Sequence, residues 1–368
     1  MATPPPLKVL VVDDTAIFRK IISDAVASFP DVQVTGTAPS GQLALQRMEQ
    51  NAVDLVLLDV HMPEMDGVET LSRIRERFPS TDVILISGST TRQTTPTIKA
   101  LQMGALEFIR KPESATMAES ILQLKDHLKP VLRMIEIRRL TRRITGEGNP
   151  VASERIQPVT PATRTAPSGS KPARFNLVVI GVSTGGPNAL ALLMPQLPKN
   201  FNVPVLIVQH MPPVFTASLA EHLSRISPLA VREAKDGEVL APGSALIAPG
   251  GRHLTLKKAT ASAGRCWMTV IHDGPPVNSC RPSVDVLFSS VAQVNPGGVL
   301  AVILTGMGED GAAGIADLKH GDCWCLAQNE ASCVVYGMPR AVVDRNLADE
   351  ILPLEILGNR ITELIQKK

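Results

Sequence analysis

The stretch that decides the fold of the second half of the chain is Leu177–Gly186, with the sequence LVVIGVSTGG. Its first part is a run of aliphatic residues, which is typical of a strand buried on both faces of a parallel sheet. The glycines that follow allow a tight turn, and the residues from Pro187 onward have the apolar spacing of a helix. A strand, a tight turn and a helix in this order predict a doubly wound, Rossmann-like α/β domain.

Ser183 lies in this turn, in the pattern Gly181-x-Ser183-x-Gly185. The same context is found in a nucleophile elbow, which presents a serine hydroxyl beside the backbone N–H groups of a helix N-terminus. Two other interpretations stay open on the motif alone. One is a phosphate-binding loop, although GxGxxG and Gly-Lys-Ser/Thr are both absent, and the other is an ordinary serine in a glycine-rich turn.

A serine nucleophile needs a base and an acid that orients the base. His210 is the best placed of the seven histidines because it follows the predicted aliphatic strand Val203–Val208. Asp310 follows another aliphatic strand, although an ordinary turn-forming Asp-Gly would explain it equally well. Parallel strands end at one edge of a sheet, so Ser183, His210 and Asp310 could meet there as a triad.

The first 125 residues also alternate aliphatic strands with helical patterns, which predicts another doubly wound parallel sheet of the flavodoxin-like kind. Asp13 and Asp14 follow the strand Leu7–Val12, and Asp59 follows Val53–Leu58. Three carboxylates at one edge repel one another unless a cation is bound, and hard oxygen ligands favour Mg²⁺. For Asp14, a simple helix N-cap remains an alternative.

Two more polar residues follow predicted strands in this half. Ser87 follows Val83–Ile86, and Lys111 follows Leu106–Ile109. We expect this hydroxyl and this ammonium group at the same crevice as the carboxylates, because the strands of a parallel sheet end on one side.

The composition changes between the two halves. A charged helical pattern with Pro130 inside it is followed, from residue 146, by Pro, Ser, Thr, Gly and Ala with almost no large apolar side chain. Such a segment cannot bury a core, so it predicts a flexible linker. The predicted organisation is a first domain at 5–125, a helical and then flexible linker at 126–174, and a catalytic domain at 175–368.

The overall composition limits the classes of function. Aromatic residues make up 3% of the chain, which argues against a stacking platform for nucleic acid, and the excess basic charge lies in the linker. Neither a signal peptide nor an apolar stretch of transmembrane length is visible, so we predict a cytoplasmic protein without membrane insertion. The five cysteines lack paired zinc-type spacing, and we expect them to be reduced.

Several motifs of the first half occur together in order. They are Asp13-Asp14, Asp59, the loop His61–Gly67, Ser87-Gly88 and Lys111-Pro112. With these motifs, residues 5–125 resemble the receiver domain of response regulators. The resemblance implies that Asp59 accepts a phosphoryl group from a histidine kinase, and that Asp13, Asp14 and Asp59 hold Mg²⁺. It also implies that Ser87 and Lys111 engage the phosphoryl oxygens and that Phe108 is the switching aromatic residue. The Lys111–Pro112 bond is expected to be cis.

A second set of motifs covers residues 175–365. It comprises Gly181–Leu190, Gln209–Pro212, Phe215–Ala220, Ala248–Gly250, Arg281–Phe288, Leu304–Gly311 and Val335–Pro339. These motifs resemble those of the chemotaxis protein-glutamate methylesterases, whose domain order is also the one seen here. The resemblance implies Ser183 as nucleophile, His210 as general base and Asp310 as its orienting partner. It places the N–H groups of Thr184 and Met307 at the oxyanion, and it implies no cofactor for the esterase.

The resemblance implies hydrolysis of glutamate methyl esters on methyl-accepting chemotaxis receptors, which releases methanol, and deamidation of certain receptor glutamines. We hypothesise that the unphosphorylated receiver covers the Ser183 crevice and that phosphorylated Asp59 releases it. The expected partners are the receptors and a histidine kinase, with no nucleic acid, and the expected state is a monomer. The alternative is a receiver-controlled regulator with a non-catalytic binding or DNA-binding output, although no helix-turn-helix pattern follows Phe175.

Overall fold

The computed structural model describes residues 5–88, 91–112, 114, 116–145, 171–261 and 264–366. The chain divides by its internal contacts into one compact unit that ends at Val159 and a second that begins at Thr160. In the described part of the chain, no helix is both long enough and apolar enough to cross a membrane.

The first unit is built around a parallel sheet. Its strands are β1 (Leu7–Val12), β2 (Val32–Ala38), β3 (Leu55–Asp59), β4 (Asp82–Ser87) and β5 (Glu107–Arg110), in the order β2-β1-β3-β4-β5. Its helices are α1 (Ala16–Ala27), α2 (Gly41–Gln50), α3 (Gly67–Arg77), α4 (Thr91–Gln102) and α5 (Met117–Thr145). The strand order reverses between β1 and β3, and this reversal opens a crevice at their carboxyl ends.

Two helices of this unit contain a proline. Pro96 lies inside α4, which begins at Thr91. Pro130, which interrupts the helical pattern, lies inside the continuous helix α5. Proline lacks an N–H donor but has a helical φ, so the helical backbone continues through both positions with one hydrogen bond fewer. Of the predicted linker, residues 126–145 belong to α5, and residues 146–170 lie outside the described part of the chain.

The second unit contains a larger parallel sheet and an antiparallel hairpin. Its strands are β6 (Leu177–Val182), β7 (Val205–Gln209), β8 (Ala230–Glu233), β9 (Ser244–Ile247), β10 (His253–Ala261), β11 (Gly264–His272), β12 (Val299–Ile303), β13 (Cys323–Gln328) and β14 (Glu350–Leu352). The sheet order is β14-β13-β12-β6-β7-β9-β8, and β10 pairs with β11. The helices are α6 (Gly186–Leu193), α7 (Phe215–Ile226), α8 (Val284–Val294), α9 (Ala312–Leu318), α10 (Met338–Asp344) and α11 (Leu354–Gln366).

The central strand of this sheet is β6, which pairs with β12 on one side and β7 on the other. All six of its residues are buried, as the aliphatic run predicts. The chain leaves β6 in one direction and later returns to its other side, so the carboxyl ends of β6, β7 and β12 surround the switch point of the sheet. Both sheets are parallel and doubly wound, and the predicted fold class is therefore confirmed, with one antiparallel hairpin added.

Helix α8 packs closely on β6 at Gly181. A Cβ atom added to Gly181 would lie 2.5 Å from Cγ1 of Val284 and 3.0 Å from Cδ1 of Ile303. The absence of a side chain at this position therefore lets the N-terminus of α8 approach the end of β6. Further along α8, Phe288 is fully buried in the core between the sheet and the helices.

Replacing Phe288 by alanine should lower the free energy of unfolding of the second unit by about 3–5 kcal/mol, because a large cavity would remain in a close-packed core. Trp267 and Trp324 are the chain's two tryptophans and both lie in this unit, so their fluorescence during urea unfolding reports on it. The control is Leu192→Ala on α6, where the side chain is 56% exposed. Its effect should stay within about 0.5 kcal/mol. Equal effects of the two substitutions would contradict the assigned core.

Candidate functional site

Ser183 follows β6 directly, and its backbone is fixed on both sides. Its N–H donates to the carbonyl of Thr305 at 3.0 Å. Its own carbonyl accepts from the N–H of Gly186 at 2.8 Å and from the side-chain amide Nε2 of Gln209 at 3.0 Å. Gly185 takes the left-handed conformation, with φ of 77°, at the start of α6. The Ser183 side chain is half-buried, and its hydroxyl makes no hydrogen bond within the described residues.

His210 follows the neighbouring strand β7. Val182 pairs with Gln209 in the sheet, so Ser183 and His210 are the next residues on two adjacent strands. The N–H of His210 donates to the carbonyl of Val182 at 3.1 Å, which continues the pairing by one step. The sheet register therefore places the predicted nucleophile and the predicted base at the same level of the crevice.

Asp310 is buried, with 2% exposure, and contacts His210 directly. The distance between Nε2 of His210 and Oδ2 of Asp310 is 2.7 Å. The neighbouring acidic residue, Glu309, instead forms an exposed ion pair with Arg345. The structure thus brings Asp310 and His210 together and turns Glu309 towards solvent.

The N-terminus of α8 holds the Asp310 carboxylate in place. Its Oδ2 accepts from the N–H of Val284 at 2.7 Å, and its Oδ1 accepts from the N–H of Asp285 at 3.1 Å. The hydroxyl of Ser283, the N-cap residue, donates to Oδ1 at 2.8 Å. Free N–H groups and the helix dipole both favour a negative charge at this position. The carboxylate therefore has a fixed orientation and remains ionised.

The N-terminus of α9 is capped in turn by Asp285 of α8. Oδ1 of Asp285 accepts from the N–H groups of Gly311 and Gly314, at 2.9 and 2.7 Å. Asp310, which precedes α9, therefore caps the N-terminus of α8, and Asp285 of α8 caps the N-terminus of α9. Nδ2 of Asn278 donates to Oδ2 of Asp285 at 2.8 Å and to Oδ1 of Asp310 at 2.9 Å, so one amide bridges both carboxylates.

The pKa values of Asp310, His210 and Asp285 all depart from their ordinary values. Burial alone would raise the pKa of Asp310, but the hydrogen bond and charge of His210, followed by the hydrogen bond from Asn278, hold it well below its ordinary value. Burial alone would lower the pKa of His210, but hydrogen bonds with Asp310 and Cys280 raise it to about 9. The pKa of Asp285 is raised, chiefly by burial and also by the charge of Asp310.

Cys280 is a neighbour of His210 that the sequence pattern did not single out. Its Sγ lies 3.5 Å from Nδ1 of His210, on the ring nitrogen that does not contact Asp310. No hydrogen bond joins His210 to the Ser183 hydroxyl in the described part of the chain. His210 thus contacts a carboxylate through one nitrogen and a thiol through the other.

The loop after β12 closes the site beside Ser183. The hydroxyl of Thr305 donates to the carbonyl of Thr184 at 3.0 Å, and a Cβ added to Gly306 would lie 2.8 Å from Cβ of Ser183. Thr184 is buried, whereas Met307 is 36% exposed. Within the described residues, the N–H groups of Thr184 and Met307 have no hydrogen-bond acceptor, and both are available to an anion.

The acidic cluster of the first unit also forms as the strand ends predict. One carboxylate oxygen each of Asp13, Asp14 and Asp59 lies within 4.8 Å of the others. Asp13 and Asp59 are buried, and Asp14 is exposed. Oδ2 of Asp13 is buried and accepts no hydrogen bond of good geometry, although it is ion-paired with Lys111. Three carboxylates this close together fit a hard divalent cation such as Mg²⁺.

Lys111 supplies the positive charge of this crevice. Its Nζ lies 2.7 Å from Oδ2 of Asp13 and 2.8 Å from Oδ2 of Asp59. Burial is the main cause that raises the pKa of Asp59, and Lys111 opposes it. Burial alone would lower the pKa of Lys111, but Asp59 and Asp13 raise it.

The remaining receiver residues lie on β4 and β5. The hydroxyl of Ser87 is fully buried and lies 2.9 Å from that of Thr97, and Phe108 is buried with 8% exposure. The expectation of a cis bond before Pro112 is wrong: the cis peptide among the described residues is Arg281–Pro282. The orientation of Lys111 does not depend on a cis bond. Its N–H donates to the carbonyl of Ser87 at 2.8 Å, and its Nζ is ion-paired with Asp13 and Asp59.

Comparison with known proteins finds similarity along both halves of the chain. A family model described as CheB methylesterase matches residues 178–361, and one described as response regulator receiver domain matches residues 9–122. A protein-glutamate methylesterase/protein-glutamine glutaminase of Desulfotalea psychrophila is 41% identical over 363 residues, which cover 98% of this chain and 99% of that relative. A relative of the same name from Trichodesmium erythraeum is 40% identical, with the same shares covered. The solved CheB methylesterase catalytic domain of Thermotoga maritima is 42% identical, with a TM-score of 0.49, and covers 52% of this chain and 100% of that one.

The contacts of His210 predict an unusual titration. In an NMR titration of the histidine rings in reducing, metal-free buffer, His210 should change protonation state near pH 9. His222 is an internal reference, since burial and then the nearby Arg225 lower its pKa below 6.5. In Asp310→Asn the His210 midpoint should fall, because the negative charge that stabilises the imidazolium is removed. A His210 midpoint at or below that of His222 would contradict the assigned pair.

Proposed function

The chain belongs to the CheB methylesterase family and carries a response-regulator receiver domain in its first half, and on this premise we propose that it is a phosphorylation-activated protein-glutamate methylesterase and protein-glutamine glutaminase. The observation that carries the proposal is the His210–Asp310 pair, which lies at the carboxyl edge of the sheet one strand away from the turn that presents Ser183. The substrates are glutamate methyl esters and certain glutamines on methyl-accepting chemotaxis receptors.

Ser183 is the nucleophile in this proposal, and His210 accepts its proton. Because Nε2 of His210 is held by Asp310 at 2.7 Å, the nitrogen that takes up the proton is Nδ1. The serine oxygen bonds to the ester carbonyl carbon, and the protonated His210 then gives its proton to the departing methoxy group, which leaves as methanol. Water attacks the acyl-enzyme by the same route and releases the glutamate carboxylate. With a glutamine substrate the leaving group is ammonia.

The oxyanion of each tetrahedral intermediate needs donors that are already in position. We propose the N–H groups of Thr184 and Met307, neither of which has another acceptor in the described structure. The carbonyl of Thr184 is held by the Thr305 hydroxyl at 3.0 Å, so the turn that carries this N–H does not have to reorganise during the reaction. Fixed donors of this kind are usually among the largest contributions to catalysis.

The tight Asp310 contact has two opposite effects on the rate. It orients the ring of His210 and stabilises the imidazolium that forms when Ser183 is deprotonated. Together with the hydrogen bond to Cys280, it also raises the pKa of His210 to about 9, and a ring that is already protonated cannot accept the proton of Ser183.

The receiver supplies the control. Asp59 is the proposed phosphoryl acceptor, and its charge is partly balanced by Lys111 at 2.8 Å. Asp13, Asp14 and Asp59 would hold Mg²⁺, which supplies the charge neutralisation that lets a carboxylate attack an anionic phosphoryl group. Ser87 and Lys111 then engage the phosphoryl oxygens, and Phe108 reports the new state to the surface of the unit.

This function requires partners of two kinds. The phosphodonor is a histidine kinase, and the substrates are receptor helices on the cytoplasmic side of the membrane. We accordingly assign the protein to the cytoplasm as a monomer that acts on the membrane-bound receptors without inserting into the bilayer.

The triad is tested by methanol release from methylated receptor membranes. Ser183→Ala should lower the rate by about 10⁴-fold or more, because a hydroxyl that forms the covalent intermediate is removed. Asp310→Asn should cost about 10⁴-fold, because the amide cannot hold His210 in the same tautomer. Ser224→Ala, an exposed serine of α7, is the matched control and should keep the wild-type rate. Methanol release by Ser183→Ala at the wild-type rate would exclude Ser183 as the nucleophile.

The switch is tested separately, as the ratio of methanol release with and without a small phosphodonor such as acetyl phosphate in Mg²⁺ buffer. The wild-type ratio should be well above one, and in Asp59→Asn it should fall to about one, because an amide cannot accept the phosphoryl group. Asp24→Asn, on α1 and ion-paired with Lys20, is the control for loss of one carboxylate and should respond like the wild type. A phosphodonor response that persists in Asp59→Asn would exclude Asp59 as the acceptor.

A further inference from the structure

The proposed hydrolysis gives no role to the thiol of Cys280, which contacts Nδ1 of His210. We propose that Nδ1 of His210 and Sγ of Cys280 form a reversible binding site for Zn²⁺, and that the bound ion inhibits the enzyme. The inhibition rests on the proposed function, whereas the metal binding does not. Among the described residues, two groups of side chains are close enough together to hold a metal ion. One is the all-carboxylate cluster of the receiver, and the other contains His210, Cys280 and Asp310.

The distance between the two donor atoms is the one that zinc requires. Zinc binds thiolate sulfur at about 2.3 Å and imidazole nitrogen at about 2.0–2.1 Å, with tetrahedral angles. These values place the sulfur and nitrogen ligands of one ion about 3.6 Å apart. The observed distance between Sγ of Cys280 and Nδ1 of His210 is 3.5 Å. The separation of these two atoms therefore already matches that of two ligands of one zinc ion.

Asp310 completes the arrangement from the other side of the ring. Its two oxygens already accept hydrogen bonds from Asn278, Ser283, Val284, Asp285 and His210. It is therefore a partner of the ligand and not a ligand itself. A carboxylate that accepts from the second ring nitrogen of a metal-bound histidine fixes the tautomer and makes the free nitrogen a better donor. Here the ring nitrogen that Asp310 leaves free is Nδ1, which lies 3.5 Å from Sγ of Cys280.

The chemistry of the donors selects the metal. One sulfur and one imidazole nitrogen suit Zn²⁺, whereas the carboxylates of the receiver suit Mg²⁺. Cys280 is half-buried, so water can complete the coordination shell and the ion can enter from solvent. Cys323 and Cys325 are buried, and burial raises the pKa of the Cys323 thiol to about 12, so they are poor competitors for the ion.

Zinc at this position would stop catalysis by a simple route. Binding releases to solvent the thiol proton of Cys280 and the proton that Nδ1 of His210 carries when the ring is charged. The ion then occupies Nδ1, the atom that must take the proton from Ser183. No bond to Ser183 is required. The inhibition is expected to be reversed by a chelator, since the coordination includes only two protein ligands.

Binding is tested without any enzyme assay, by titrating reduced full-length protein with Co²⁺ in excess Mg²⁺, which saturates the carboxylate cluster. We expect a thiolate-to-cobalt charge-transfer band in the near ultraviolet, with about one cobalt per chain, and its loss when Zn²⁺ is added. The band should disappear in Cys280→Ser and in His210→Gln. It should remain in Cys266→Ser, where the half-buried thiol of β11 contacts the carbonyl of Ala259. Tryptophan fluorescence during urea unfolding checks that each variant is folded.

Inhibition is tested by methanol release in increasing Zn²⁺, with the rate of each variant divided by its own zinc-free rate. The half-inhibitory concentration should be at least tenfold higher in Cys280→Ser than in the wild type or in Cys266→Ser. A cobalt band of equal strength in folded Cys280→Ser, or no band in the wild type, would overturn the site. A wild-type protein that shows the band but releases no methanol without zinc would instead refute the proposed function and leave the metal site standing.

Discussion

The second unit depends on how the charge of Asp310 is placed. A buried carboxylate is costly unless its oxygens accept hydrogen bonds, and here they accept five, two of them from the first N–H groups of α8. Hydrogen bonds to charged groups contribute about 1.5–3 kcal/mol each, and a helix N-terminus adds up to about 2 kcal/mol. The direction of α8, the ionisation of Asp310 and the orientation of His210 are therefore set by the same contacts.

The two units use one geometry for different chemistry. In each, a parallel sheet reverses its strand order, and polar side chains follow the strands at that point. In the first unit the side chains are carboxylates with a lysine, a set suited to a cation and a phosphoryl group. In the second they are a serine and a histidine beside glycine-rich turns, which leave N–H groups available to an anion. The fold decides where the crevice lies, and the residues after the strands decide what it can do.

This difference explains how much could be predicted from the sequence. Ser183, His210 and Asp59 each follow or end an aliphatic strand, so hydrophobic pattern and strand topology were enough to predict their positions. Asn278 and Cys280 lie in a loop where Asn278 and Ser279 have positive φ, and they reach the site through contacts between residues 32 and 70 positions apart. No periodic pattern predicts such contacts. Asp285 lies inside a helix, where its sequence position suggests an ordinary surface carboxylate.

The reciprocal capping of α8 and α9 has a consequence for how this protein can change over generations. Catalytic residues are commonly a burden on the fold, so that replacing one often makes a protein more stable. Asp310 has the opposite character, because the same oxygens that face His210 also satisfy the start of α8. A lineage that lost the activity would gain no stability by discarding Asp310, because the N–H groups of Val284 and Asp285 would lose their acceptor. The architecture therefore constrains Asp310 independently of the chemistry proposed for it.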